Sequence, residues 1–178
     1  MTKDEEYTNY ITEHINNVQQ VWADIEPLLE GEYWLDDMLY FTIQPLIERH
    51  DESKYTPLEF NGYRQFFYPK DGETKNKMEF QKSWCRHQNS NPHHWEYWTM
   101  LNDKLEAFAI EMPFVYIIEM LCDWTAMSYK FGDTPSDFYN KNYQKMLLSD
   151  STKRCIHSWI KLFDIVANDH ANKQGEIA

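Results

Sequence analysis

The chain has 178 residues, 42% of them hydrophobic, which fits one globular domain spanning residues 1–178. Its formal charge of −12 argues against duplex nucleic acid as a partner. It has no apolar run of the roughly 18 residues that a membrane span requires, and a charged rather than apolar start, so we expect a cytoplasmic protein.

A histidine lies on the first predicted helix, and another follows the second. Apolar residues recur at helical spacing over about residues 8–29, the last of them on the stripe being Leu28, before Gly31 ends the pattern. His14 lies on the inward face of that segment.

The same spacing over about residues 34–49 predicts a second helix, with a kink site at Pro45. His50 continues its apolar stripe and begins the corner that follows.

The sequence pattern in the middle of the chain predicts shorter helices. Thr56-Pro57-Leu58-Glu59 has the form of a capping box, so a short helix should run to Phe67. A further helix carries His87 inward and should end before Gln88. Asn91-Pro92 then resembles the cap and first turn of another short helix, followed by a helical or irregular segment.

The last third predicts three helices, over about residues 113–131, 136–148 and 152–168. The first of them places Asp123 inward, with Glu119 one turn before it. No segment alternates apolar and polar residues between hairpin turns, so we predict no sheet. The predicted class is all-α, a bundle of about six to eight helices with its core over residues 8–131 and C-terminal helices over 135–168.

Histidines and acids from these separate segments form a candidate metal site. A buried imidazole or carboxylate without a partner costs several kcal/mol, so a buried set needs a hydrogen-bond network or a cation. Nitrogen and oxygen ligands without thiolates suit borderline divalent transition-metal ions such as Fe, Mn, Zn, Co or Ni. The candidate ligands are His14, His50, Asp51, His87, His93, His94 and Asp123.

Three of these elements, in this order, resemble the signature of the HD superfamily of metal-dependent phosphohydrolases. That signature is an early histidine, an adjacent His-Asp pair and a late aspartate on a central helix, matched here by His14, His50-Asp51 and Asp123. The resemblance implies an HD-like helical bundle.

The two-metal branch of that superfamily holds its second ion with further histidines, and the resemblance implies His87 with either His93 or His94 in those places. Asp51 would then bridge the two ions. The motif HDESK is similar to the HDxxK form, whose lysine, here Lys54, contacts the substrate phosphate.

The chain also resembles a group of small bacterial and phage proteins with HDxSKY and HHWEY-like motifs. The spacing of six residues from His87 to His93 is shorter than in cyclic-dinucleotide phosphodiesterases, and their GYP motif is absent, which argues against that specificity.

The function that the resemblance implies is hydrolysis of a small phosphorylated substrate, such as a nucleotide, as a phosphomonoesterase or phosphodiesterase. A hydroxide bridging the two ions would be the nucleophile. The residues expected to act in catalysis are Asp51, Lys54 and Glu119. Those expected to contact the substrate are Lys54, Tyr63, Arg86 and His94.

A local basic stretch and two alternatives complete the predictions. Residues 64–86 carry six basic and three acidic side chains, so a small anion could be recruited there. A di-iron oxygenase of the HD type fits nearly the same ligands, and a non-catalytic nucleotide-binding module needs only the pocket. The sequence does not indicate an oligomeric state.

Overall fold

A computed structural model describes residues 1–29 and 37–175, and the side chains of residues 37–40 are outside its description. The predicted helix start at Trp34 and the helix stop at Gly31 therefore lie outside the described residues. Within the described ranges the helices are α1 (Lys3–Leu29), α2 (Asp37–Glu48), α3 (Pro57–Phe67), α4 (Lys77–Ser90), α5 (Phe114–Phe131), α6 (Pro135–Asn142) and α7 (Asp150–Gly175). The predicted all-α class is confirmed.

Helix α5 is the centre of the main core. It packs against α1, α2, α6 and α7, so apolar residues on most of its circumference are buried. On α1 the buried stripe includes Val18, Val21 and Ile25, as the helical spacing predicts. The predicted stripe is wrong at its end, because Leu28 is 53% exposed and Leu29 faces the core instead.

A second, smaller core lies between α1, α3 and α4. Tyr7, Ile11 and Tyr63 are buried there, and Phe60 and Phe80 pack around them. We call these five residues the aromatic layer. Tyr63, which the resemblance predicts as a substrate contact, thus packs within the protein.

Helices α3 and α4 approach each other most closely at Gly62. A Cβ built there would meet Ser83 Oγ at 2.3 Å and the carbonyl oxygen of Glu79 at 2.6 Å. Both distances are too short for a side chain, so only glycine fits. This close approach brings the buried faces of α3 and α4 together beside the aromatic layer.

A small hairpin departs from the prediction of no sheet. Strands β1 (Thr99–Leu101) and β2 (Ala107–Ala109) pair antiparallel, with Met100 opposite Phe108. Their five-residue loop is closed by Asn102, whose Oδ1 accepts from the backbone N–H groups of Lys104 and Glu106. This loop lacks the Asn-Gly or Gly-rich pair that identifies hairpins in a sequence.

Three helix predictions also differ from the structure, two at a helix end and one in the type of helix. Helix α4 continues to Ser90, because the Asn91 side chain donates to the His87 carbonyl and completes the last turn. Only a short 3-10 turn, Trp95–Trp98, follows in place of the predicted helix. Helix α6 stops at Asn142, whose amide donates to the Phe138 carbonyl, and does not reach residue 148.

The structure contains no helix among its described residues that is both long and apolar enough to cross a membrane.

Candidate metal centre

The site begins at a sharp corner after α2. Asp51 adopts φ 58° and ψ 13°, the left-handed region, in which aspartate is better tolerated than most residues. This conformation turns the chain into a short 3-10 turn, Glu52–Tyr55, that carries Lys54. The Asp51 side chain is buried and points between α1, α4 and α5.

The two oxygens of Asp51 face different histidines. Oδ2 lies 3.4 Å from Nε2 of His14 and 3.6 Å from Nε2 of His50. Oδ1 lies 3.2 Å from Nε2 of His87 and 3.5 Å from Nε2 of His93. One carboxylate therefore stands between two sets of imidazoles, in the arrangement that a bridging ligand would have.

The first set, which we call the His14 side, is completed by Asp123. His14 on α1, His50 in the corner and Asp123 on α5 bring their ligand atoms within 4.8 Å of one another. The Oδ1 atom of Asp123 lies 3.1 Å from His14 Nε2 and 3.9 Å from His50 Nε2. This group can hold a metal ion.

The second set, the His87 side, comes from a short stretch of chain. His87 near the end of α4 and His93 and His94 in the following turn gather with Asp51 in a group of the same dimensions. The structure brings both His93 and His94 into this group, so the choice between them that the sequence left open does not arise. This group too can hold a metal ion.

Two buried glutamates fix the orientation of the rings. Glu119 Oε1 lies 3.0 Å from Nδ1 of His50 and 3.1 Å from Nδ1 of His93. Glu59 Oε2 lies 2.9 Å from Nδ1 of His87. His50 and His87 can thus donate Nδ1–H to a carboxylate and direct the Nε2 lone pair to the centre, as metal-ligating histidines do, and His93 Nδ1 lies at ion-pair distance from Glu119.

A third grouping of His50, His93 and Glu119 also has the dimensions of a metal site. The contacts of Glu119 are with the Nδ1 atoms, so its role as a hydrogen-bond acceptor explains this grouping without an ion. The prediction that Glu119 lies beside the ligands agrees with this geometry. Glu52, which follows Asp51 in the chain, pairs with Arg49 on the surface.

The protonation states divide the histidines into two kinds. Burial lowers the pKa values of His50, His93 and His94, that of His93 to about 4, so these rings are neutral. Burial also lowers the pKa of His14, but hydrogen bonding to the Asp123 and Asp51 carboxylates, which accept, outweighs it and raises that pKa to about 9. The pKa of His87 is raised against burial, first by the charge of the Asp51 carboxylate.

The carboxylates at the centre are ionised. Burial raises the pKa of Asp51, but the charge of Lys54 and the neighbouring histidines lower it well below its usual value. Burial likewise raises the pKa of Asp123, and hydrogen bonding with His14 lowers it far more. Metal ligands must be deprotonated carboxylates and neutral imidazoles, a state that most of these groups already have.

Four buried ligand atoms at the centre have no hydrogen-bond partner among the described residues. They are His50 Nε2, Asp51 Oδ1, His93 Nε2 and His94 Nε2. Leaving a buried polar atom unpaired costs about 1–3 kcal/mol, so four such atoms in one place are costly. A cation that accepts their lone pairs removes that cost, and the residues present fit one.

Of the predicted substrate contacts, Lys54 is the one whose charged group lies at the metal centre. Its Nζ lies 2.5 Å from Asp51 Oδ2. Burial lowers the pKa of Lys54, but the Asp51 carboxylate raises it above its usual value, so the ammonium is charged. Its side chain is 15% exposed, which leaves it accessible to a ligand.

Two of the other predicted substrate contacts lie further out, whereas His94 lies in the group of the His87 side. Tyr63 is buried behind the site, with its ring centroid 6.0 Å from that of His87 and 5.9 Å from Lys54 Nζ. Arg86 lies on the exposed side of α4 and donates to the Leu58 carbonyl. The structure therefore does not bring Arg86 into the cluster, and Tyr63 belongs to its wall.

Three of the six cations in the basic stretch 64–86, where the sequence predicts an anion site, form ion pairs with acidic side chains. Arg64 pairs with both Glu73 and Asp4, and Lys70 pairs with Asp4. Lys82 similarly pairs with Glu79. These cations are already neutralised by neighbours that sequence counting could not assign to them.

Sequence reasoning missed Glu59, which it assigned to a capping box. Thr56 makes no side-chain cap, and Glu59 instead accepts from His87 and from Ser53 Oγ at 3.0 Å. The missed signal was helical spacing, because Glu59 lies four residues before Tyr63 on the same buried face. Asn91, predicted as a helix cap, also faces this network and donates to Ser53 Oγ.

Fold and site together define a helical protein whose buried histidines and carboxylates can hold metal. The chain belongs to the family of unknown function DUF5662, whose model matches residues 3–162. That match includes every candidate ligand named above. No curated protein and no solved structure gives a significant match.

Proposed function

We propose that this protein is an HD-type phosphohydrolase that holds two divalent metal ions, one on the His14 side and one on the His87 side. The observation that carries the proposal is the division of Asp51, whose two oxygens face separate sets of histidines. A structural zinc site needs one closed set of ligands and no shared carboxylate. Two adjacent sets sharing a carboxylate are typical of two-metal hydrolytic sites.

The presence of Lys54 favours an anionic substrate. Two divalent ions in such a site lower the pKa of a water toward neutrality and polarise a phosphoryl group. Lys54 supplies a fixed positive charge beside Asp51, where it can stabilise the negative charge that develops on phosphoryl oxygens. In the hydrolysis, water supplies the oxygen of the new P–O bond and a proton to the leaving group as the old P–O bond breaks.

The two glutamates act on the ligands and not on the substrate. Glu119 holds His50 and His93, and Glu59 holds His87. A carboxylate on Nδ1 fixes the tautomer of each ring and increases the basicity of Nε2. Glu119 is therefore assigned as a positioning residue, in place of the catalytic role predicted from the sequence.

The first experiment is elemental analysis of protein purified without chelator. We expect about two transition-metal ions per chain, and loss of both in Asp51→Asn, which keeps the shape and tolerates the left-handed conformation. Asp150→Asn, at a highly exposed position, is the matched control and should keep both. No bound metal in the wild type, even after reconstitution, would refute the proposal.

The second experiment separates hydrolysis from redox chemistry. Metal-loaded protein is tested under anaerobic conditions with Mn²⁺ or Co²⁺ on a panel of phosphomonoesters and phosphodiesters. We expect phosphate or alcohol release that Lys54→Gln reduces while metal content is unchanged. Iron-dependent oxygen consumption without phosphate release would instead identify the di-iron oxygenase, and tight nucleotide binding without turnover would identify a binding module.

A further inference from the structure

Two cavities lined by described residues border the metal centre. One is lined by His93 and Glu119, whose ring and carboxylate are engaged with each other, and by Arg49, which already pairs with Glu52. The other reaches His14 and lies between α1, α5 and α7, with a volume of about 440 Å³. Volumes of about 300–1,000 Å³ are usual for small-molecule sites.

The second cavity, which we call the α1–α5–α7 groove, borders the metal centre at His14, one of the residues that line it. The Nε2 atom of His14 lies 3.1 Å from Asp123 Oδ1 and 3.4 Å from Asp51 Oδ2, and Lys54 Nζ lies 2.5 Å from that same Asp51 oxygen. The side chains of Asp123 and Lys54 are 16% and 15% exposed, so both are partly accessible to a ligand. The groove and the groups of the His14 side are therefore neighbours.

A second cation lies at the groove itself. Lys130 Nζ lies over the Tyr10 ring, 4.2 Å from its centroid, and both residues line the groove. Lys130 is exposed and forms no ion pair with the residues that the structure describes. Lys130 is therefore an exposed cation at the rim of the groove, and Lys54, beside Asp51, is a separate cation at the metal centre.

The remaining walls mix polar, aromatic and apolar side chains. Asn17 lies one turn beyond His14 on α1, and Tyr129 and His170 stack with centroids 3.5 Å apart and planes 7° apart. The Tyr129 hydroxyl is buried and has no hydrogen-bond partner among the described residues. The other lining residues are Glu13, Gln174, Ala126 and Met127. Walls with this share of polar groups fit a compact polar molecule better than a lipid chain.

We propose that the α1–α5–α7 groove binds the non-reacting part of the substrate, and that Lys130 contacts a second anionic group on it. This inference rests on the proposed function, since it takes Lys54 to hold the reacting phosphate. The substrate class is a small phosphate ester that also carries a carboxylate or a second phosphate. The groove also replaces the α3–α4 face, with Arg86 and the basic stretch, as the side of approach.

The test uses probes that cannot be hydrolysed. Alkylphosphonates and ω-carboxyalkylphosphonates of matched chain length differ only in the second anion, and their affinities are measured by isothermal titration calorimetry. An accessible ion pair contributes about 0.4–1 kcal/mol. We therefore expect the best carboxylate member to bind about two- to fivefold more tightly than its partner.

Charge reversal at the rim assigns the effect to Lys130. Lys130→Glu should invert the preference, whereas Lys104→Glu in the hairpin loop changes the net charge equally and should retain it. Asn17→Trp, at a half-buried position on the groove wall, should weaken binding of longer members without changing metal content.

Equal affinity of the two series at every length, an unchanged preference in Lys130→Glu, or no binding by any member would each overturn the inference. Failure of the proposed function would appear separately, as missing metal or missing phosphate release from the ester panel.

Discussion

The two sides of the metal centre share Asp51 but rest on different parts of the molecule. The His14 side draws its ligands from α1, the corner after α2 and α5, and all three segments pack into the main apolar core. The His87 side is contributed by residues 87–94 alone and rests on α3 and the aromatic layer. We infer that the first side is held by the global fold and the second by one local helix pair.

Removal of metal should separate the two sides most strongly. A ligand at 100 times its Kd stabilises the native state by about 2.7 kcal/mol per site, so chelation should lower the melting temperature markedly. Hydrogen exchange should then accelerate more at the amides of α4 than at those of α5, since fewer apolar contacts hold α4. Equal acceleration in both helices would contradict the comparison.

Single-ligand variants should remove one ion and leave the other. Asp123→Asn affects only the His14 side, and His87→Gln affects only the His87 side. Each should change the metal content from about two ions per chain to about one, because loss of a ligand exceeds the roughly 10–100-fold that supporting residues contribute to affinity. If either variant lost both ions, the two sides would be a single cooperative site.

Substitution of Glu119 or Glu59 compares how strongly the metal affinity of each side depends on its supporting carboxylate. Glu119→Gln should weaken both ions by about 10–100-fold, because Glu119 contacts His50 and His93, one ring on each side. Glu59→Gln should weaken only the ion of the His87 side, through His87. Competition with a chromophoric chelator resolves the two affinities, and identical profiles for the variants would show that Glu119 does not link the sides.

The smallest effect is expected from the packing beneath the His87 side. Gly62→Ala places a methyl group against Ser83 and the Glu79 carbonyl, and such overpacking costs about 1–3 kcal/mol. Denaturant unfolding should show this loss, and the affinity for one of the two ions should fall. Gly175→Ala, with open space around it, is the control and should be close to neutral.

Much of the fold followed from local pattern. The helical spacing of apolar residues predicted α1, α3 and α5 closely, since a face that packs on a core must repeat every three to four residues. The hairpin was missed because its loop closes through the Asn102 side chain, which leaves no glycine signal. The ends of α4 and α6 were missed because Asn91 and Asn142 side chains complete their last turns.

The candidate ligands could be selected from the sequence because their chemistry is unusual for buried faces. His14, His87 and Asp123 lie on stripes that are otherwise apolar, and a His-Asp pair follows α2. Glu59 escaped notice because a capping box explained the same letters. The basic stretch was predicted as an anion site because a count of charges in the sequence cannot show which side chains already pair with acids. Arg86 was predicted as a substrate contact because the sequence cannot show that it lies on the exposed side of α4.

The sequence by itself determined which residues can ligate and which helices carry them, because residue chemistry and helical period are local properties. Only the tertiary structure decided how those residues are divided. It orients Asp51 so that each carboxylate oxygen faces a different set of histidines, and it places Glu119 against the imidazole rings of His50 and His93. It also opened the α1–α5–α7 groove beside His14, because the packing of distant helices sets where space remains.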